Sequence, residues 1–216
     1  MSEPILRDQT GAITTLTLNR PAVGNRMTNA MAEMLAKMIE DARDSQLVVL
    51  RGAGKDFCTG RNLPPPDPAA APRALDVRRG NTEPVLRLYG VFRRAPMPVM
   101  SVVTGNAFGL GCALAAACDI TVASEDARFQ LPEMDHGIPP CLAISALMDR
   151  IPQKAISYLV YSREIIAARE ALALGMLSKI VPAAGLEPAV ESLAKSIADC
   201  PPPAVRAVKE FMRAAP

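Results

Sequence analysis

GNAFGLGCALAAACDITVASEDARFQLPE, Gly105 to Glu133, is the stretch around which the 216-residue chain is organised. Glycines at 105, 109 and 111 open a run of small residues with the composition of a buried helix. An apolar segment, Ile120 to Ala123, has the makeup of a strand, and the stretch closes on a lone acid behind Pro132. Glycines leading from a strand into a helix leave backbone N–H groups free, and the helix dipole adds partial positive charge there, so such a place binds negative charge. The spacing is neither GxxxxGK[ST] nor GxGxxG, and no lysine follows. Phosphate and a developing enolate or thioester oxyanion are the two candidate anions.

Upstream, Ile13 to Leu18 alternates apolar residues with threonine, the period of a half-buried strand. Thr28 suits the N-cap of a helix whose apolar face is Met31, Met34, Leu35, Met38 and Ile39, and Leu47 to Leu50 is a continuous apolar run of the kind found in a strand covered on both sides. Strand, helix and strand in that order predict an α/β fold. GAGKDFCTGRNL, Gly52 to Leu63, follows as a loop, and PPPDPAAAP, Pro64 to Pro72, is an extended segment that fits either a lid or a surface loop. Asn81 or Thr82 caps a helix with Leu88, Val91 and Phe92 inward, while Arg87, Arg93 and Arg94 fall outside that face as solvated charges. Val99 to Val103 is a strand that feeds straight into Gly105. Beyond Glu133, helical spacing covers Leu142 to Met148, Lys154 to Val160, Ala167 to Leu174, Leu186 to Ala198 and Ala204 to Arg213, with a short strand at Lys179 to Val181.

Lys and Arg number 24 against 22 Asp and Glu, a balance that argues against a nucleic-acid partner. The first residues lack the basic and apolar blocks of a secretory signal, and no apolar run is long enough to span a bilayer; the expectation is a cytoplasmic protein without a membrane partner. Cys58, Cys112, Cys118, Cys141 and Cys200 show no metal-ligand spacing, so neither zinc nor disulfides are expected. His136 is the one histidine, and no GxSxG elbow accompanies it.

The glycine-rich stretch, together with Asn19-Arg20-Pro21 and Asn25, Gly54 to Gly60 (GKDFCTG) and Ile165 to Pro182 (IIAAREALALGMLSKIVP), resembles the crotonase superfamily of enoyl-CoA hydratases and isomerases, motif by motif over nearly the whole chain. The resemblance implies a spiral of ββα units over residues 1–182. A helical region, 183–216, follows and is shorter than in relatives. It also implies a homo-oligomer, a trimer or dimer of trimers, and an acyl-CoA substrate, with coenzyme A part of the thioester and no permanently bound cofactor. By the same resemblance, the N–H groups of Thr59 and Leu110 hold the thioester oxygen. Arg61, Asn62 and Leu63 lie by the adenine, and Cys58, Gly60, Gly109 and Cys141 belong to the substrate surface.

Hydratases of this kind use two glutamates. The first position is Ala113 here, and the second is Glu133. A single carboxylate suits shuttling a proton between C2 and C4, as in the 3,2-enoyl-CoA isomerases, so the acid pattern favours a double-bond isomerase. Dienoyl-CoA isomerases carry a further acid where this chain has Cys141. Hydration, and a catalytically inert acyl-CoA or protein-binding role, are the alternatives. Asp135 and His136 are lesser candidates for proton transfer.

Overall fold

A computed structural model describes residues 3–62 and 73–214. In chain order the elements are β1 (Ile5–Thr10), β2 (Ile13–Leu18), α1 (Asn29–Asp41), β3 (Leu47–Gly52), α2 (Ala74–Val77), α3 (Glu83–Arg94), β4 (Val99–Val103), β5 (Asn106–Phe108) and α4 (Leu110–Ala117). They continue with β6 (Ile120–Ser124), β7 (Arg128–Gln130), α5 (Cys141–Leu147), α6 (Gln153–Ser162), β8 (Ile166–Ala167), α7 (Ala168–Ala173), β9 (Lys179–Val181), α8 (Leu186–Ala198) and α9 (Pro202–Ala214). The 64–72 segment proposed as lid or surface loop lies outside the described residues.

Six strands form one sheet in the order β1-β2-β3-β4-β6-β9. Only β1 and β2 pair antiparallel; the remaining neighbours run parallel, so helices must return the chain between them. The continuous apolar runs follow from cover on both faces. From β3, Val48 and Leu50 enter the main core, while Leu47 and Val49 face a second core with Met100, Val102 and Val122, closed by Leu186, Val190 and Ala194 of α8. A small sheet, β5-β7-β8, stands beside the large one. It interrupts the direct strand-to-helix passage expected at Gly105: β5 pairs with β7 through Asn106↔Arg128 and Phe108↔Gln130 before α4 begins.

Helix α1 starts where the sequence puts it, with the Thr28 hydroxyl accepting from the Met31 N–H. Met31, Leu35 and Ile39 are buried, but Met34 turns outward. The capping of α3 differs from expectation. Neither Asn81 nor Thr82 caps it, because the chain is already helical through α2 and a π turn at Arg78–Thr82. Tyr89 joins Val85, Leu88, Val91 and Phe92 on the buried side. Every residue of α4 is buried. Such a helix has no polar face to offer solvent, and only alanine, cysteine, glycine and leucine fill it.

Two contacts bind the 53–62 loop to this framework. A Cβ on Gly111 would lie 2.0 Å from the Cys58 carbonyl oxygen, a backbone atom with little room to yield. Asn25, fully buried at φ +56, donates through Nδ2 to the carbonyls of Ala53 (2.9 Å) and Asp56 (2.7 Å) and accepts from the Arg20 N–H at 2.8 Å. Gly111→Ala is therefore expected to lower unfolding stability by about 3 kcal/mol, read from the urea midpoint. Asn25→Ala removes three bonds and places a Cβ-bearing residue without local support in the left-handed region, a loss of about 2–4 kcal/mol; Asn25→Gly is expected to recover about 1 kcal/mol of that in the same measurement.

Candidate active site

The loop after β3 is fixed by main-chain bonds on both sides. Toward β5, Cys58 N–H donates to Asn106 O (3.1 Å) and Cys58 O accepts from Phe108 N–H (2.9 Å). One Asp56 oxygen accepts from the Asn106 backbone N–H (3.0 Å) and side-chain amide (2.8 Å). On the other side, Thr59 N–H donates to Gly24 O at 2.9 Å, and the threonine hydroxyl donates to the same oxygen at 3.0 Å. This corrects the expectation that Thr59 supplies a free donor. Its N–H is spent on the loop's own attachment.

The next peptide has the orientation that Thr59 lacks. Gly60 O accepts from Met27 N–H (2.9 Å), and Asn62 N–H donates to Met27 O (2.8 Å). In a planar trans peptide the N–H opposes the C=O, so the Arg61 N–H points away from the Met27 segment. Among the described residues it has no acceptor. Gly60 makes this crossing at φ +116, where a Cβ would lie 3.6 Å from Phe108 O, in ordinary contact, so the backbone conformation is what calls for glycine.

Leu110 supplies the companion group. Gly109, at φ +51, turns the chain from β5 into α4 and donates its own N–H to Gln130 O at 2.8 Å. As the first residue of the helix, Leu110 has an N–H with no carbonyl one turn back to receive it. Its side chain is buried.

Glu133 opens a short 3-10 turn, Glu133–His136, after β7. A Cβ on Gly109 would lie 2.9 Å from the Glu133 Oε1, which puts the carboxylate directly over the residue preceding Leu110. Burial raises the proton affinity of this carboxyl above the ordinary carboxylate level, opposed by its own backbone N–H and by His136. Among the described residues its Oε2 is buried without a hydrogen-bond partner. Asp135 instead faces outward in an ion pair with Arg163 (3.4 Å), and His136 is exposed.

The remaining expected positions divide. Cys58 is buried beside the loop, its thiol pushed up to about 11 by desolvation, and Gly60 and Gly109 shape the two donor peptides. The Arg61 guanidinium donates to Asn29 Oδ1 and to Asn81 O, both at 2.7 Å, so it braces the loop against the entry to α3. Asn62 is exposed with its N–H already bonded, Cys141 is exposed at the start of α5, and Leu63 lies outside the described residues. Ala113 is fully buried and leaves α4 without a carboxylate at that turn. Tyr89 is the polar group that sequence reasoning missed: four residues after Val85 and three before Phe92, it falls on the inner stripe of α3, and only its hydroxyl distinguishes it from core. Among the described residues no three His, Cys, Asp or Glu side chains cluster to hold a metal ion, and no helix is long and apolar enough to cross a membrane.

Comparison with known proteins identifies the family. The family model described as enoyl-CoA hydratase/isomerase matches residues 8–216. The chain is 34% identical over 218 residues to the 2,3-dehydroadipyl-CoA hydratase of Escherichia coli (strain K12), covering 99% of this chain and 82% of the relative. It is 32% identical to the (E)-benzylidenesuccinyl-CoA hydratase of Thauera aromatica, over 96% of this chain and 81% of that one. Among solved structures, an enoyl-CoA hydratase of Mycobacterium smegmatis superposes with a TM-score of 0.90 at 28% identity, over 98% of this chain and 82% of that one. An α/β core of two sheets, a buried glycine-initiated helix and a family match over all but the first few residues lead to one conclusion: the chain belongs to the enoyl-CoA hydratase/isomerase family of the crotonase superfamily.

Proposed function

We propose that the protein moves a proton at C2 of an acyl-CoA thioester, adding water to a 2-enoyl-CoA or removing it from the 3-hydroxyacyl-CoA, with Glu133 as the acid–base group. The observation that carries this reading is the Glu133 carboxylate over Gly109, one residue from the unpaired N–H of Leu110. Proton loss at C2 throws negative charge onto the thioester oxygen. Donors fixed in advance at Leu110 and Arg61 stabilise that charge without reorganising, roughly 3 kcal/mol for each. A carboxyl with raised proton affinity suits both directions, since it gives up a proton to C2 in hydration and takes one in dehydration. The hydratase names of the relatives support water addition.

Double-bond isomerisation is the second reading, favoured by the alanine at 113: a site with one carboxylate is sufficient to carry a proton from C2 to C4. Assembly into trimers is proposed as well, on the strength of the family resemblance and of Val208, Phe211 and Met212, which α9 leaves 60–76% exposed.

Purified protein is expected to hydrate crotonyl-CoA, followed as loss of the conjugated thioester's absorbance, and Glu133→Gln to reduce kcat about 10²–10⁴-fold. Conversion of a 3-enoyl-CoA without any hydration would replace this reading with isomerisation, and no turnover of either substrate would refute both. In the dehydration direction, kcat/KM is expected to fall on the acid side at a pH above the ordinary carboxylate range, because desolvation raises Glu133. The same shift has a stability signature. A carboxyl whose folded pKa exceeds its unfolded value binds more protons when native, so stability is greatest below the unfolded pKa and declines as pH rises through the folded one. Glu133→Gln escapes that decline. At neutral pH it is expected to match or exceed wild type in thermal unfolding, with the difference closing as pH falls below the ordinary carboxylate pKa.

A further inference from the structure

Among the described residues, three buried side-chain oxygens have no hydrogen-bond partner: the Tyr89 hydroxyl, Ser124 Oγ and Glu133 Oε2. Buried polar atoms without partners are uncommon and costly, and each asks for an explanation. Two of the three belong to one place. Tyr89 is only 5% exposed, on the buried side of α3, a helix that meets α1, α4 and α5. Its hydroxyl lies within electrostatic reach of Glu133, Arg61, Cys58 and Cys112, all residues of the candidate site or of the segments that carry it. Burial first, and the Glu133 charge second, keep the phenol protonated, so it serves the site as an O–H donor.

The chemistry of the two orphans is complementary. Tyr89 has a proton to donate, and an ionised Glu133 Oε2 has lone pairs to offer, yet they do not bond to each other. An oxygen that both accepts and donates would satisfy the two at once. A water molecule or an alcohol has that capacity; a carbonyl oxygen lacks the proton, and an alkyl chain lacks both.

We propose that the Tyr89 hydroxyl binds the oxygen on C3 of the substrate, the hydroxyl of a 3-hydroxyacyl-CoA or the water that becomes it, and so fills the place of the carboxylate that Ala113 does not supply. This rests on the hydratase reading for its chemical step. In dehydration, the Glu133 carboxylate takes the C2 proton, and the C–H electron pair passes through the enolate into the C2=C3 bond. The C3–O bond breaks with its pair on oxygen, and the Glu133 proton goes to that oxygen, which leaves as water. Tyr89 donates to the departing oxygen throughout and keeps its own proton. Hydration is the reverse, and no oxidant or further co-reactant enters.

Tyr89→Phe removes one oxygen and leaves the ring to pack. Because that oxygen has no partner among the described residues, the variant is expected to unfold at the same temperature as wild type or higher. Three readouts test the assignment. Wild type is expected to bind 3-hydroxybutyryl-CoA more tightly than butyryl-CoA by calorimetry, and Tyr89→Phe to lose about fivefold to tenfold of that preference. Hydration of crotonyl-CoA is expected to fall at least about tenfold in the variant. Exchange of the C2 protons of butyryl-CoA with deuterated solvent, which needs Glu133 but no C3 oxygen, is expected to stay within about twofold of wild type. An unchanged binding preference, or unchanged hydration by an active protein, would overturn the role of Tyr89 and leave the hydratase reading standing. Equal loss of hydration and exchange would overturn it too, by reducing Tyr89 to packing. If wild type hydrates nothing, yet shows the binding preference and loses it in Tyr89→Phe, the hydratase reading falls and the Tyr89 site stands.

Discussion

The Cys58 carbonyl occupies the position that a side chain on residue 111 would need, and the site depends on this close approach. It seats the 53–62 loop against the first turn of α4, so two segments remote in sequence come together there. Neither donor peptide is free to turn. Gly109 donates to Gln130 O, Gly60 accepts from Met27 N–H, and the amides of Thr59 and Asn62 are taken up by Gly24 O and Met27 O. Preorganisation of this kind comes from main-chain bonding, which explains why leucine is accommodated at 110.

Much of the framework could be read from residue patterns, because those patterns report burial. The apolar runs at Leu47–Leu50 and Val99–Val103 announced strands, and Thr28 announced the start of α1. Short elements escaped. β5, β7 and β8 have two or three residues each, too few to show a period, and they hold their place through pairing with one another. Helix α3 begins where the sequence put it, at Glu83 after Thr82, yet neither Asn81 nor Thr82 caps it, because the preceding π turn already carries the helix.

At the site, the motif pointed to Glu133, Leu110 and Thr59, and the Thr59 N–H turns out to be bonded within the protein. Which amide of a loop remains free depends on which carbonyls approach it, and Gly24 approaches Thr59 from a segment 35 residues away. No local spacing encodes that. Tyr89 was hidden differently: an aromatic on an apolar stripe reads as core, and only the missing partner for its hydroxyl separates it from Phe92. The raised proton affinity of Glu133 was likewise invisible, since it comes from the packing around the carboxylate.

At the opposite end of α4, Asp119 accepts hydrogen bonds from the Val99 N–H and from Lys209, with Arg150 3.6 Å away, and Lys209 also donates to Phe92 O at 3.0 Å. Asp119 and Lys209 are 90 residues apart in the chain. Asp119 is left 14% exposed, and Arg150 and Lys209 both bring positive charge to it, so the acid is largely covered without standing alone. The glycine helix is thereby held at both ends, at its first turn by the Cys58 carbonyl and just beyond its last by a cation from α9.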